Sequence, residues 1–167
     1  MPNWCTNTVE ISHADPAKMT ELVDKFGHDD GFFEHLLPTP PELLDDSDLP
    51  LGSLPDEVKE LEQINAERMQ KYGATCWYDW RVANWGTKWD IAFYEPPQLS
   101  CETQAHFVFD TAWSPPIEIY QLLEKQGYKI KADFIDEMHN FAGQYKDGEE
   151  SYHDPDDHME TIIQNDL

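Results

Sequence analysis

Apolar residues recur along this chain with two periods, and the switches between them mark out a short series of elements. From Thr6 to His13 the residues alternate, Val9 and Ile11 against Thr8, Glu10 and Ser12, which predicts a first strand. Asp15-Pro16 then supplies a cap and a first-turn proline, and Gly27 a stop. Between them Met19, Leu22, Val23 and Phe26 recur at helical spacing. Residues 28–55 hold Pro38, Pro40, Pro41, Pro50 and Pro55, so little regular structure is expected there. Phe32, Phe33, Leu36, Leu37, Leu43 and Leu44 lie among them and predict a loop that packs onto the domain. Ser53-Leu54-Pro55-Asp56 opens a second helix with a capping-box-like pattern, Val58, Leu61, Ile64 and Met69 form its apolar stripe, and Gly73 ends it. The segment 28–75 is read as an insertion.

Alternation returns in the second half. Trp89 to Tyr94 reads as a strand stopped by Pro96-Pro97. Thr103 to Thr111 reads as another, with Phe107 and Phe109 on one face and His106, Val108 and Asp110 on the other. Ser114-Pro115-Pro116 starts a helix whose Ile117, Ile119, Tyr120 and Leu123 face inward, and Gly127 stops it. A strand follows over Tyr128 to Asp136. A hairpin then forms from 140–146 and 149–153 around Asp147-Gly148, a dipeptide that favours a type I′ turn. From Asp154 the chain is acidic and forms a short helix or frays. The order β-α-(insertion)-β-β-α-β plus hairpin predicts an α+β, ferredoxin-like split βαβ fold, an antiparallel sheet with two helices on one face. One domain is expected over 1–167, with the insertion 28–75 and an acidic C-terminal segment 147–167.

Composition changes this picture mainly through charge. Hydrophobic residues at 40% and aromatics at 13% argue against a disordered chain. No run approaches the roughly 18 apolar residues of a membrane span, and Met1-Pro2-Asn3-Trp4-Cys5 lacks the features of a signal peptide, so a soluble intracellular protein is expected. Cys5, Cys76 and Cys101 are too few and too widely spaced for a disulfide framework or zinc knuckle, and read as buried or half-buried free thiols. Against 11 basic residues stand 34 acidic ones, a net charge of −23. Residues 1–75 carry 16 acids and 5 bases, 76–146 carry 10 and 6, and 147–167 carry 8 and none. Nucleic acid and anionic membranes should repel such a chain, whereas a basic protein surface should attract it. Solubility alone is the plainer explanation of the charge.

Three groups of residues are candidates for chemistry. Trp77, Tyr78, Trp80, Trp85 and Trp89 fall within thirteen residues, and Trp113 follows the next strand. They form either a stacking platform for a ligand or a second small core, and packing is the favoured reading. His106 and Asp110 share a strand face, but four residues along a strand separate Cα atoms by roughly 13 Å, too far for a catalytic pair. His153-Asp154-Pro155-Asp156-Asp157-His158 holds metal-ligand types without the glycine or glutamate spacing of a calcium loop, and reads as a solvated tail. No phosphate-binding loop, nucleophile elbow or HExxH pattern occurs. No cofactor and no enzyme activity are expected.

The blocks "MPNWCTNTVEI", "NWGTKWD", "FDTAWSPP" and "FAGQYKDGEESY" resemble, in order, those of the YubB-type ferredoxin-like family of bacteriophages and conjugative plasmids. The resemblance covers most of the chain outside 28–75. It implies the same α+β fold and a mobile-element origin, hence a bacterial cytoplasm, and brings no catalytic residue with it. In this frame Trp85 and Trp89 should pack the open sheet face against the strand of Phe107 and Phe109, with Gly86 easing the backbone. The functional expectation is a non-enzymatic protein that binds, and inhibits, a host defence or nucleic-acid-handling protein. Asp29, Asp30, Asp45, Asp46, Asp48, Glu149, Glu150, Asp154, Asp156 and Asp157 would take the place of phosphates in its basic groove. The alternatives are a ligand-binding module built on Trp77, Trp80, Trp85, Trp89 and Trp113, and an enzyme without a recognisable motif.

Overall fold

A computed structural model describes residues 2–45 and 52–156. Its strands are β1 (Trp4–Ser12), β2 (Gln98–Cys101), β3 (Gln104–Ala112), β4 (Lys129–Asp136), β5 (Ala142–Lys146) and β6 (Glu149–His153). They form an antiparallel sheet in the order β2-β3-β1-β4-β5-β6. The helices are α1 (Pro16–Lys25), α2 (Phe32–Leu36), α3 (Pro55–Tyr72), α4 (Trp77–Trp85) and α5 (Ile117–Lys125), with a 3-10 turn at Pro41–Leu43. The architecture is α+β.

Strand alternation decides which face is buried. Cys5, Asn7, Val9 and Ile11 of β1, Phe107 and Phe109 of β3, and Ala132 and Phe134 of β4 point into one core. Met19 and Leu22 of α1 and Ile119, Tyr120 and Leu123 of α5 complete it. A polar node lies within that core. The Asn7 amide donates to the Cys5 carbonyl and to Thr111 Oγ1, each at 2.9 Å, and accepts from the Tyr120 hydroxyl at 3.0 Å. With its hydrogen bonds met, the buried amide costs little and ties α5 to two strands. At the start of α1 the Asp15 carboxylate accepts from Ala17 N–H at 2.9 Å, as the Asp-Pro pair predicts.

Several expectations need correction. Trp89 to Tyr94 is not a strand: it makes one bridge, Ala92 to Asp110, plus a single bond from Glu95 N–H to the Val108 carbonyl. Phe93, at φ 45°, turns the chain out of extended geometry. Pro96 and Pro97 have no N–H to donate, so the ladder resumes only at Gln98. Residues 28–45 are more ordered than their prolines imply, since α2 and the 3-10 turn fall within them and Phe32, Phe33 and Leu43 are buried, whereas the helix expected to end at Gly73 is present as α3. Trp77–Trp85, read only as an aromatic cluster, is the helix α4. The stripe of α3 exists, but Val58, Ile64 and Met69 are exposed.

The two tryptophans of "NWGTKWD" part company. Trp85, expected on the open face, lies instead on the helix side of the sheet: it is 1% exposed, meets Phe33 and Trp80 edge-on, and donates from Nε1 to the Leu37 carbonyl at 3.0 Å. Arg81 lies over its ring at 4.6 Å while pairing with Glu34 and Thr39. Trp89, expected in the same packing, is 37% exposed and touches Trp4 instead. Phe107 and Phe109 face away from Trp89, towards Phe26, Phe32 and Phe33, because the odd positions of β3 point to the helices. Trp85→Ala should therefore cost about 3–5 kcal/mol, whereas Trp89→Ala should cost about 1 kcal/mol or less. Urea denaturation of the two variants checks this, and equal losses would reverse the assignment.

Candidate functional site

"NWGTKWD" is a junction. Gly86, at φ 83°, caps α4 in the left-handed region, with its N–H on the Val82 carbonyl at 3.2 Å. A Cβ there would meet the Pro115 carbonyl and the Ile117 backbone N–H, so glycine is required for space as well as for φ. Its carbonyl accepts from Ser114 Oγ at 2.6 Å, and Thr87 Oγ1 donates to the Ala112 carbonyl at 2.9 Å. Three residues on, the Asp90 carboxylate accepts from the Phe33 and Glu34 N–H groups at 3.0 and 2.9 Å. It thereby caps α2 from 57 positions away in sequence. These bonds hold the insertion to the sheet and deliver Lys88 and Trp89 to the face that has no helix among the described residues.

At that end of the open face the aromatics gather. Trp4 meets Phe93 edge-on at 5.2 Å and Trp89 at 6.2 Å. The Lys88 ammonium sits 4.1 Å from the centre of the Trp89 ring and 3.7 Å from that of Trp113. Phe93 is 73% and Trp113 47% exposed. Both have positive φ, 45° and 70°, a conformation that costs a bulky residue about 1–3 kcal/mol and that persists where surroundings impose it. For Trp113 the imposing contact is its N–H on the Asn3 carbonyl at 2.9 Å. Carboxylates adjoin the cluster. The Glu137 carboxylate accepts from the Trp4 N–H at 2.9 Å, and the Glu137 backbone N–H donates to the Trp4 carbonyl at 2.8 Å. Asp110 lies across from Thr6, and burial holds its pKa above the usual range, with Glu137 adding to the effect and a hydrogen bond from Thr6 opposing it.

The candidate residues scatter. Trp80 and Trp85 are core, Trp77 is half-buried beneath Arg81, and Trp89 and Trp113 form the exposed cluster. His106 is not brought to Asp110. It meets Glu10 of the neighbouring strand, Nε2 to Oε2 3.4 Å, beside a cleft lined by Glu95, Pro96, Gln98 and Val108. The acidic set does not form one patch. Asp29 and Asp30 lie before α2, whose Phe32 packs on Phe107 of β3, and Asp45 follows the 3-10 turn. Glu149 and Glu150 are on β6, with Asp154 and Asp156 just beyond. From β3 to β6 is four strand spacings, roughly 19 Å. Asp46, Asp48 and Asp157 lie outside the described residues.

Sequence reasoning missed Trp4, Lys88, Phe93, Glu10 and Glu137. Parity held a signal for Trp4 and Glu10, since even positions of the first strand face away from Val9 and Ile11. The thiols are dispersed, and Cys101 is exposed rather than buried as expected: burial, with Asp136 nearby, pushes the Cys5 pKa up to about 12, while a hydrogen bond with Thr103 lowers that of Cys101. Among the described residues no group of three or more His, Cys, Asp or Glu is placed to hold a metal, and no helix is long and apolar enough to cross a membrane.

Fold and site together define an α+β domain with a one-sided antiparallel sheet and an exposed aromatic cluster on its bare face. No family model matches the chain, and no curated protein matches it in sequence. Among solved structures it is similar to a protein api92 from Yersinia pseudotuberculosis, of the family DUF1281. The TM-score is 0.49 at 10% identity, over 92% of this chain and 98% of that one.

The raised pKa of Asp110 has a consequence for stability. The folded state holds this proton more tightly than the unfolded chain does, so stability falls as pH rises from 3.8 through the folded value and stays lower above it. Asp110→Asn keeps an acceptor for Thr6 but has no charge to desolvate. The variant should melt higher than the wild type at neutral pH, and the gap should close in acid below 3.8. Thermal melts across that range decide the point; a variant that melts lower at neutral pH would show that the charged form is favoured.

Proposed function

We propose that this chain is a non-catalytic, ferredoxin-like binding domain that docks onto the basic surface of a nucleic-acid-handling protein. The connection order β-α-β-β-α-β and the strand order β2-β3-β1-β4 support the ferredoxin-like reading. The observation that carries the function is the cluster of exposed Trp89, Phe93 and Trp113 around half-buried Trp4, held on a sheet face that no described helix covers in a chain of net charge −23. Tryptophan is among the residues that dominate binding energy at interfaces, and an apolar patch kept in water by a strained backbone costs stability that packing alone does not return. The acidic field draws in a basic partner and repels nucleic acid, and the aromatics then supply the contact.

The separation of the acidic groups favours steering over literal imitation of a phosphate strip. The resemblance to proteins of mobile elements points to a host defence or nucleic-acid-processing protein as the partner, and occupation of its groove would inhibit it. Association of the purified chain with such a protein should slow steeply with added salt and compete with DNA or RNA. Phe93→Ala and Trp113→Ala should each weaken binding about tenfold or more, mainly through faster dissociation. Stopped-flow and equilibrium titrations measure both. Binding that ignores salt, nucleic acid and both substitutions would refute the proposal.

A further inference from the structure

The lysine between the two indoles identifies what the site accepts. Lys88 is one of only 11 basic residues, and its ammonium lies over two ring faces at 4.1 and 3.7 Å. Among the described residues no carboxylate is within ion-pair distance of it. The rings alone hold the cation, and the attraction comes from their quadrupoles. We propose that the space between Trp89 and Trp113 is a receptor for an arginine side chain of the partner, and that Lys88 occupies it when the partner is absent. This deepens the binding reading above and rests on it for the identity of the partner.

Three features favour exchange. Lys88 is tethered by a flexible four-carbon stem in an irregular segment between α4 and β2, so it can leave without moving the backbone. A guanidinium is planar and more weakly hydrated than an ammonium, so it stacks between two indoles at a smaller desolvation cost. Asp110 and Glu137 lie beyond Trp4 at the same end of the face, giving the neighbourhood the sign an incoming cation needs. As built-in occupant, Lys88 shields the two rings until a better cation arrives, and this makes the site selective for basic partners.

The test begins with Nα-acetyl-arginine amide as the probe, followed by tryptophan fluorescence and the indole N–H resonances. Lys88→Ala should bind the probe about tenfold more tightly than the wild type, because the competing cation is gone. Adding Trp113→Leu, which keeps bulk without a π face, should abolish that gain, and thermal melts confirm that each variant is folded. Equal binding by Lys88→Ala and the wild type, or an unchanged gain in the double variant, would overturn the proposal. Tighter binding of tetramethylammonium than of the arginine probe would overturn the arginine assignment in favour of a methylated ammonium. The two readings fail separately. Lys88→Ala that binds arginine but no basic protein sinks the proposed function alone, and a basic protein that binds equally with and without the indole sandwich sinks the receptor alone.

Discussion

In β1, β3 and β4 every second side chain enters a core sealed by helices, and the others lie on a side that no helix among the described residues covers. Most of the structure follows from that asymmetry. Phe107 and Phe109 must face Phe26, Phe32 and Phe33, and His106 and Asp110 must then lie outside with Glu10 and Thr6. A one-residue slip in the β1–β3 register would bury Glu10 and expose Val9, so the polar node around Asn7 and the apolar core reinforce a single alignment. The bare face is consequently polar along most of its length, with Lys129, Lys131, Asp133 and Gln144 among its residues. The aromatic cluster at one end is the exception.

That exception is built by local chemistry. Gly86 reverses the chain where a side chain would not fit, Thr87 fixes it to the end of β3, and Asp90 ties it to α2. Between these fixed points Lys88 and Trp89 have nowhere to go but the open face. The same stretch thus joins the insertion to the sheet and forms one wall of the site. Loss of the Asp90 cap would therefore disturb both the order of α2 and the placing of Trp89.

Much of this was readable in the sequence because the signals are local. Alternation located β1, β3 and β4, Asp15-Pro16 and Gly27 bounded α1, Pro115-Pro116 opened α5, and Asp147-Gly148 set the β5–β6 turn. What failed to show depends on distant partners. Asp90 is an ordinary acid until Phe33 and Glu34 present their N–H groups to it. Glu10 and His106 become neighbours only once the register of β1 and β3 is set. The left-handed turns at Phe93 and Trp113 have no sequence signature, since bulky aromatics normally avoid that region. Those turns bring separate tryptophans together, so the cluster at 77–89 could be seen in sequence but not its division into core and surface.

The spacing of the charges determines how the site can operate. At physiological salt the Debye length is about 8 Å, and the acidic groups near α2 and on β6 are separated by roughly twice that. Under the proposed function they would act as a diffuse field that raises the rate of encounter, because they are too far apart to form one contact strip. Discrimination among the basic surfaces so attracted must come from elements that close contact alone can sense. Exposed indoles, a ring-held lysine and the partly desolvated Asp110 are such elements, and all lie at one end of the bare face. In the proposed binding, long-range charge would select the class of partner and the aromatic end would select within that class.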